Sequence, residues 1–306
     1  MNQSILNHYL ETGTYTYAGP YADYFKSLPD DIAELGNLVS SQIIHRITLR
    51  EGNTNANKDL RYGDMNRYPW YRLRCEDDIL LTAITMTSEL FRMDSRGFVS
   101  DRAVENKIVV CCRYVSVLMS AILKAKGIPT RCRAGFAPYF NKEKSMDHWI
   151  NQAWNGEKWI LFDADGFYDK DEMGFDQYNM EEKHFDWAAP AWLEIRRGET
   201  DGKRLVYADG MGTCSLKAVI RYLMYDFHAL MNNEITFSFM PTFVDNKFEK
   251  LTDKQLEDLD NLAELMCHPD ENFEELKRIW NTKKEYRILN SPLVGDWDNS
   301  FINQMQ

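Results

Sequence analysis

Two periodicities divide the 306-residue chain. Residues 30–47 (DDIAELGNLVSSQIIHRI) open on acidic residues and then space apolar side chains three and four apart, which predicts a helix. Residues 76–93 repeat the pattern, with Ile79, Leu80, Ile84, Met86, Leu90 and Phe91 as the expected buried set. Between them, residues 51–69 are polar and rich in Asn, Arg and Gly, and read as a loop. A third helix is predicted from Cys112 to Lys126, with Val115, Leu118, Met119, Ile122 and Leu123 as its buried stripe. Gly127 suits the position just past a helix end, and Pro129 blocks continuation.

The period then changes to two. Residues 130–137 (TRCRAGFA) alternate like a strand, and residues 147–165 (DHWINQAWNGEKWILFDAD) carry Asn155-Gly156 between apolar-rich segments, a strong hairpin signal. A two-residue turn at that pair sets Trp154 opposite Glu157, Gln152 opposite Trp159, Ile150 opposite Leu161 and His148 opposite Asp163. Helical spacing returns over about 214–231, 252–266 and 270–282, with Asp270 as the expected N-cap of the last. Helices, then a small antiparallel sheet, then helices is an α+β order. We expect a catalytic unit over 1–200 and a helical extension over 201–306 packed on it; Arg197 to Gly202 is the turn-rich stretch between them.

The candidate chemistry sits where the period changes. Cys112 heads a helix, where unpaired N–H groups and the macrodipole favour a thiolate and can hold an oxyanion. Read alone, Cys112 is more readily a buried helix-start residue, and His148 a hairpin residue with its ring in solvent. The register joins them: directly opposed side chains stand about 4.5–5.5 Å apart, within reach of an imidazole–carboxylate bond. Asp147 points to the other face and Asp165 would face Met146, so the counted register selects Asp163. A cysteine with a histidine oriented by an aspartate is the minimum set for thiol nucleophilic catalysis.

Composition narrows the class. Net charge is −11 with no basic block, which argues against nucleic-acid binding. No run approaches the roughly 18 apolar residues of a membrane helix. The first residues lack a secretory pattern, and the six cysteines (75, 111, 112, 132, 214 and 267) contain no CxxC, so free thiols and a cytoplasmic protein are expected, without structural zinc. Asp226, His228 and Glu234 imitate a metal set, but residues two apart on a helix do not face each other. The tryptophans at 149, 154, 159, 187 and 192 fit sheet-to-helix packing better than ligand stacking.

Residues 110–131 (VCCRYVSVLMSAILKAKGIPTR) resemble the nucleophile segment of the transglutaminase-like superfamily: Cys, a charged residue, an apolar helix, then Gly-Ile-Pro-x-Arg. Gly135-Phe136 resembles the Gly-aromatic that follows, His148-Trp149 the histidine strand, and Trp159 through Asp163 the aspartate strand, so the likeness covers 105–165. The family's spacing and its charged neighbour select Cys112, followed by Arg113, over Cys111. Val110 replaces a common Gly and Ala164 a common Pro. More loosely, Asp147-His148-Trp149 and the helix with Tyr225-Asp226-Phe227 resemble a group of bacterial proteins containing this domain. The resemblance implies a papain-like core with the triad Cys112, His148 and Asp163, acting on a peptide or small amide through a thioester, with no cofactor or metal. Amidase- or peptidase-type hydrolysis is the expected reaction, with acyl transfer to an amine (transglutaminase activity) or a silent binding module on the same fold as the alternatives. Trp70 is a further residue expected to pack, or to line the site.

Overall fold

Several helices in the amino-terminal part begin where a side chain accepts the first free N–H groups. The computed structural model describes residues 2–47, 65–72, 75–165, 173–209, 211–244 and 248–289. Asn2 caps α1 (Gln3–Leu10), and α2 spans Ala22–Ser27. Asp31 accepts from Glu34 N–H at the start of α3 (Ile32–Ser40), and Thr82 and Thr85 form a reciprocal capping box on α4 (Ala83–Met93).

Two predicted helices are shorter than their periodicity. α3 stops at Ser40, and Ile43–His45 form strand β1. The Ser40 and Ser41 hydroxyls both bond back to the Asn37 carbonyl, and β-branched Ile43 and Ile44 fit a pleat better than another helical turn. β1 pairs in parallel with β2 (Ile108–Val110), His45 beside Val110. α4 starts at Ala83 rather than 76, because the Thr82 cap fixes its first turn. Leu80, Met86 and Leu90 are buried, Ile84 and Phe91 half-buried, and Ile79 is 51% exposed. Of the loop expected over 51–69, residues 51–64 lie outside the described residues, and Met65–Arg67 form a 3₁₀ turn.

α5 (Cys112–Ala125) follows β2 after a single residue and is buried along nearly its whole length. It ends as expected: Gly127 has φ +82°, its N–H donates to Lys124 O at 2.9 Å, and Ile128 N–H donates to Leu123 O at 2.9 Å. These are the two bonds of a Schellman cap.

The main sheet comprises β3 (Thr130–Ala137), β4 (Ser145–Trp154), β5 (Trp159–Phe162) and β6 (Asp186–Trp187), antiparallel in the order β5-β4-β3-β6. β7 (Leu205–Val206) adds in parallel to β4, so the sheet is mixed rather than purely antiparallel. The β4–β5 turn also differs from the counted one. Trp154 pairs with Trp159 and Gln152 with Leu161, so the tip is Gly156-Glu157, one residue later than expected. Asn155 is not a central turn residue: its side chain accepts from the N–H groups of Glu157 and Lys158 at 3.0 and 2.9 Å, and its N–H donates to Lys158 O. Moving the tip by one shifts the register by two.

One sheet face packs on α5, where Asn151 Nδ2 donates to the Ser116 carbonyl at 3.0 Å and Cys132 lies against the same group. α6 (Ala188–Arg196) precedes α7 (Leu216–Leu230), which lies along β3 with Tyr222 against Phe136 and Tyr225 against Trp149. Arg133 donates to Asp226 through Nε and Nη2 at 2.8 Å each. Ile150, Leu161, Met180 and Phe185 form a smaller cluster. α8 (Asp253–Met266) joins α6 through Asp260, which accepts from Trp192 Nε1 and Arg196. α9 is Phe273–Thr282, and Asp270 is not its N-cap: its carboxylate takes Arg131 and Trp159 Nε1 instead. A single hydrophobic cluster holds side chains from Ile5 to Tyr286 in this α+β fold. Among the described residues, no helix is long and apolar enough to cross a membrane.

Candidate active site

β2 delivers the chain to the first turn of α5, and Cys112 is the first residue of that helix, 5% exposed. Cys111, in extended conformation, is the N-cap and supplies no capping side chain to the helix. Its thiol reaches sideways to Asp77 Oδ2 at 3.4 Å, and burial pushes it well above the ordinary range. Burial acts on Cys112 in the same sense. A hydrogen bond from Cys111, the charge of His148, and hydrogen bonds from His148 and His45 outweigh it and hold the Cys112 thiol well below the usual range. The two adjacent sulfurs are therefore inequivalent, with the anion favoured on Cys112.

His148 is buried on β4, its ring set edge-on to Phe140 with centroids 4.7 Å apart. Its Nε2–H donates to Asp163 Oδ2 at 2.7 Å. Burial alone lowers an imidazole, but the Asp163 and Cys112 charges raise His148 well above its ordinary value. The Tyr139 hydroxyl donates to the same Asp163 oxygen at 2.7 Å, Asp165 N–H donates to Asp163 Oδ1 at 2.9 Å, and Gln177 Nε2 donates to the Asp163 carbonyl. Asp147 faces away: it accepts the Tyr222 hydroxyl and, at 2.8 Å, Ala208 N–H, with burial pushing it up to about 6.

The pairing of His148 with Asp163 does not come from the counted register. The observed register, continued past Phe162, puts Asp163 level with Ile150 and Asp165 level with His148. A two-residue shift keeps each side chain on its face. Asp163 thus reaches His148 along a diagonal, and Asp165 is brought into the site as well. Asp165 is 3% exposed, with Oδ2 3.4 Å from His45 Nε2. Burial pushes its carboxyl up to about 6 against the opposing pull of His45 and His148.

His45 is the site residue that sequence reasoning missed, because it lay in a stretch read as helix. The available signal was the β-branched pair Ile43-Ile44 just ahead of it, which ends α3 and begins a strand. The parallel β1–β2 pair then carries His45 to the thiol, a ring nitrogen coming within 4.8 Å of the sulfur.

Other singled-out residues lie elsewhere. Trp70 is 82% exposed and stacks edge-on with Tyr71, so it neither packs in the core nor lines this site. Asp226 binds Arg133, while His228 donates to Tyr286 O at 2.7 Å and accepts from Asn233, and burial lowers it to about 4. Glu234 is buried with neither carboxylate oxygen hydrogen-bonded among the described residues, so these three form no metal set. Trp149 and Trp192 are core residues, and the Arg131 and Arg133 guanidinia lie over Trp159 and Trp187. A cavity of about 410 Å³ beside Arg131, Trp159, Trp187 and Asp270 does not include Cys112, His148 or Asp163.

Residues 92–164 match the family model of the transglutaminase-like superfamily. This segment is similar to a transglutaminase-like core. It includes Cys112, His148 and Asp163, ends one residue before Asp165 and leaves His45 outside. One solved structure, a candidate cysteine protease from Cytophaga hutchinsonii, is similar at 14% identity with a TM-score of 0.33. The alignment covers 55% of this chain and 44% of that one, so the chain spans less than half of that neighbour's length. No curated protein matches the chain.

Proposed function

We propose that the chain is a thiol-dependent enzyme that hydrolyses an amide or peptide bond through a thioester on Cys112. The observation that most supports this reading is the 2.7 Å bond from His148 Nε2 to Asp163 Oδ2, with the His148 charge helping to hold the Cys112 thiol below its ordinary range. With Nε2 engaged by Asp163, Nδ1 is the nitrogen left to exchange a proton with sulfur. The thiolate attacks the amide carbonyl carbon, and the carbon–oxygen π pair moves onto oxygen. N–H groups of the first α5 turn are the nearest donors of the kind that stabilise such an oxyanion. As the intermediate collapses, the His148 imidazolium gives its proton to the departing nitrogen and the thioester remains. Water then attacks the thioester, His148 takes its proton, and the acid leaves as the thiol is restored.

The test is alkylation by iodoacetamide at neutral pH with a Cys112→Ala control, followed by an amide and peptide hydrolysis screen. We expect one fast label, lost in C112A, and turnover that C112A abolishes. Absent or unselective labelling sinks the reading in favour of a silent binding module. Turnover stimulated by a primary amine, with an amine adduct among the products, replaces hydrolysis by acyl transfer.

A further inference from the structure

Three donor atoms of different chemistry converge beside the amino-terminal end of α5. One atom each of the His45 imidazole, the Cys112 thiol and the Asp165 carboxylate lie within 4.8 Å of one another. They come from β1, the first turn of α5 and the residues just after β5, and two of the three lie outside the matched family segment. His45 Nε2 and Asp165 Oδ2 are 3.4 Å apart. A tetrahedral ion with nitrogen and oxygen ligands at about 2.0–2.2 Å spaces those two atoms about 3.3 Å apart, so this edge already has the required length. Sulfur at about 2.3 Å from the same ion stands about 3.6 Å from each neighbour, so the thiol closes by roughly 1 Å at most.

A second observation points the same way. Asp165 is buried, yet its Oδ2 has no hydrogen-bond partner among the described residues; the His45 ring faces it at ion-pair distance. A buried carboxylate oxygen left in this state costs free energy that a ligand can relieve.

We propose that His45, Cys112 and Asp165 bind one zinc-class divalent ion, and that the bound ion silences the thiol. Imidazole, thiolate and carboxylate together are a borderline donor set, suited to zinc or cobalt rather than magnesium or calcium. Three protein ligands leave a fourth position for water, while His148 stays with Asp163. On binding, the Cys112 thiolate commits a sulfur lone pair to the metal, with no proton to lose. His45 Nε2 gives up its proton, Nδ1 carries one, and the 3.3 Å contact from Ile47 N–H to Nδ1 is given up. Silencing rests on the reading of Cys112 as nucleophile; binding itself does not.

The experiment is a cobalt(II) titration of the full chain after chelator treatment, read by the thiolate-to-cobalt charge-transfer band and the visible ligand-field bands. We expect one equivalent bound, the charge-transfer band lost in C112S, affinity at least tenfold weaker in H45Q and in D165N, and displacement of cobalt by zinc. No charge-transfer band, or one of undiminished affinity in both H45Q and D165N, overturns the site. Thermal melts of the metal-free variants identify any that fail to fold, and D165E then replaces D165N. Alkylation with and without zinc separates the two readings. Fast metal-free labelling that zinc leaves unchanged removes the metal proposal alone. Slow metal-free labelling removes the nucleophile reading, and the cobalt band still decides the site.

Discussion

Asp163 Oδ2 stands 2.7 Å from His148 Nε2 and accepts the Tyr139 hydroxyl at the same distance, while Oδ1 accepts Asp165 N–H. Among the described residues the carboxylate takes bonds from His148, Tyr139 and Asp165, the last two independent of the imidazole. Its aim at His148 is set by the chain that leaves β5 and by Tyr139.

That arrangement ranks two substitutions. Asp163→Asn removes the charge and leaves an amide against Nε2, so Cys112 alkylation at neutral pH should fall at least 100-fold. Tyr139→Phe removes one of the donors to a carboxylate that keeps the others, so the loss should be about tenfold or less. Equal losses in the two variants would show that Tyr139 does more than orient the carboxylate.

Burial pushes the Cys112 thiol up, but its contacts with Cys111, His148 and His45 bring it well below its ordinary range. Its thiolate therefore persists as pH falls beneath about 8.5, where a free thiol protonates. His148 is held well above its usual value, so the paired imidazolium persists above neutrality. The pH profile of alkylation should keep its plateau through neutral pH. In His148→Gln burial is opposed by fewer contacts, and the rising limb should move to higher pH with at least a tenfold loss at pH 7. An unshifted limb would assign thiolate stabilisation to Cys111 and His45 instead.

Gly135 pairs with His148 on one side and Trp187 on the other. A Cβ there would stand 2.6 Å from the Asp186 carbonyl oxygen and 2.6 Å from Phe185 Cε1. The carbonyl belongs to β6 and cannot swing aside, so Gly135→Ala should cost about 1–3 kcal/mol by urea denaturation. It should also slow alkylation, since β6 and β4 must part beside His148.

Arg133 and Asp226 have side chains only 6% and 1% exposed. Arg133→Met strands a buried carboxylate and should lower stability by about 3–5 kcal/mol. Adding Asp226→Asn should recover part of that loss in the same denaturation assay, because the stranded charge is gone. No recovery would mean that Arg133 acts chiefly through Gln152 and Trp187.

Much of this site was legible before the fold. The Gly-Ile-Pro stop, the buried stripe of α5 and the alternation in β3 each follow from one local rule. Asp163 was selected from a turn displaced by one residue. It kept its place beside His148 because the resulting two-residue register error preserves the face of a strand. Asp165 was discarded by the same count, and nothing local corrects that. His45 was hidden for a different reason: the spacing of residues 30–47 satisfies a helix, and the break comes from Ser40 and Ser41 turning back on Asn37 and from a partner strand over sixty residues away. Asp270 reads as a cap locally but is claimed by Arg131 and Trp159, from strands that sequence proximity does not reveal.

The β1–β2 pair is only three residues long, yet it decides what the sulfur sees. Side chains in a strand change sides at each step, and Ile44 and Val109 already face a separate apolar cluster with Tyr68 and Val104. Slipping β1 by one residue along β2 would offer the thiol either the hydrocarbon of Ile44 or the guanidinium of Arg46, which now holds Asp77 at 2.9 Å. Three rungs of backbone pairing thus work as an indexing device. They select an imidazole, in place of grease or a permanent cation, as the neighbour of Cys112.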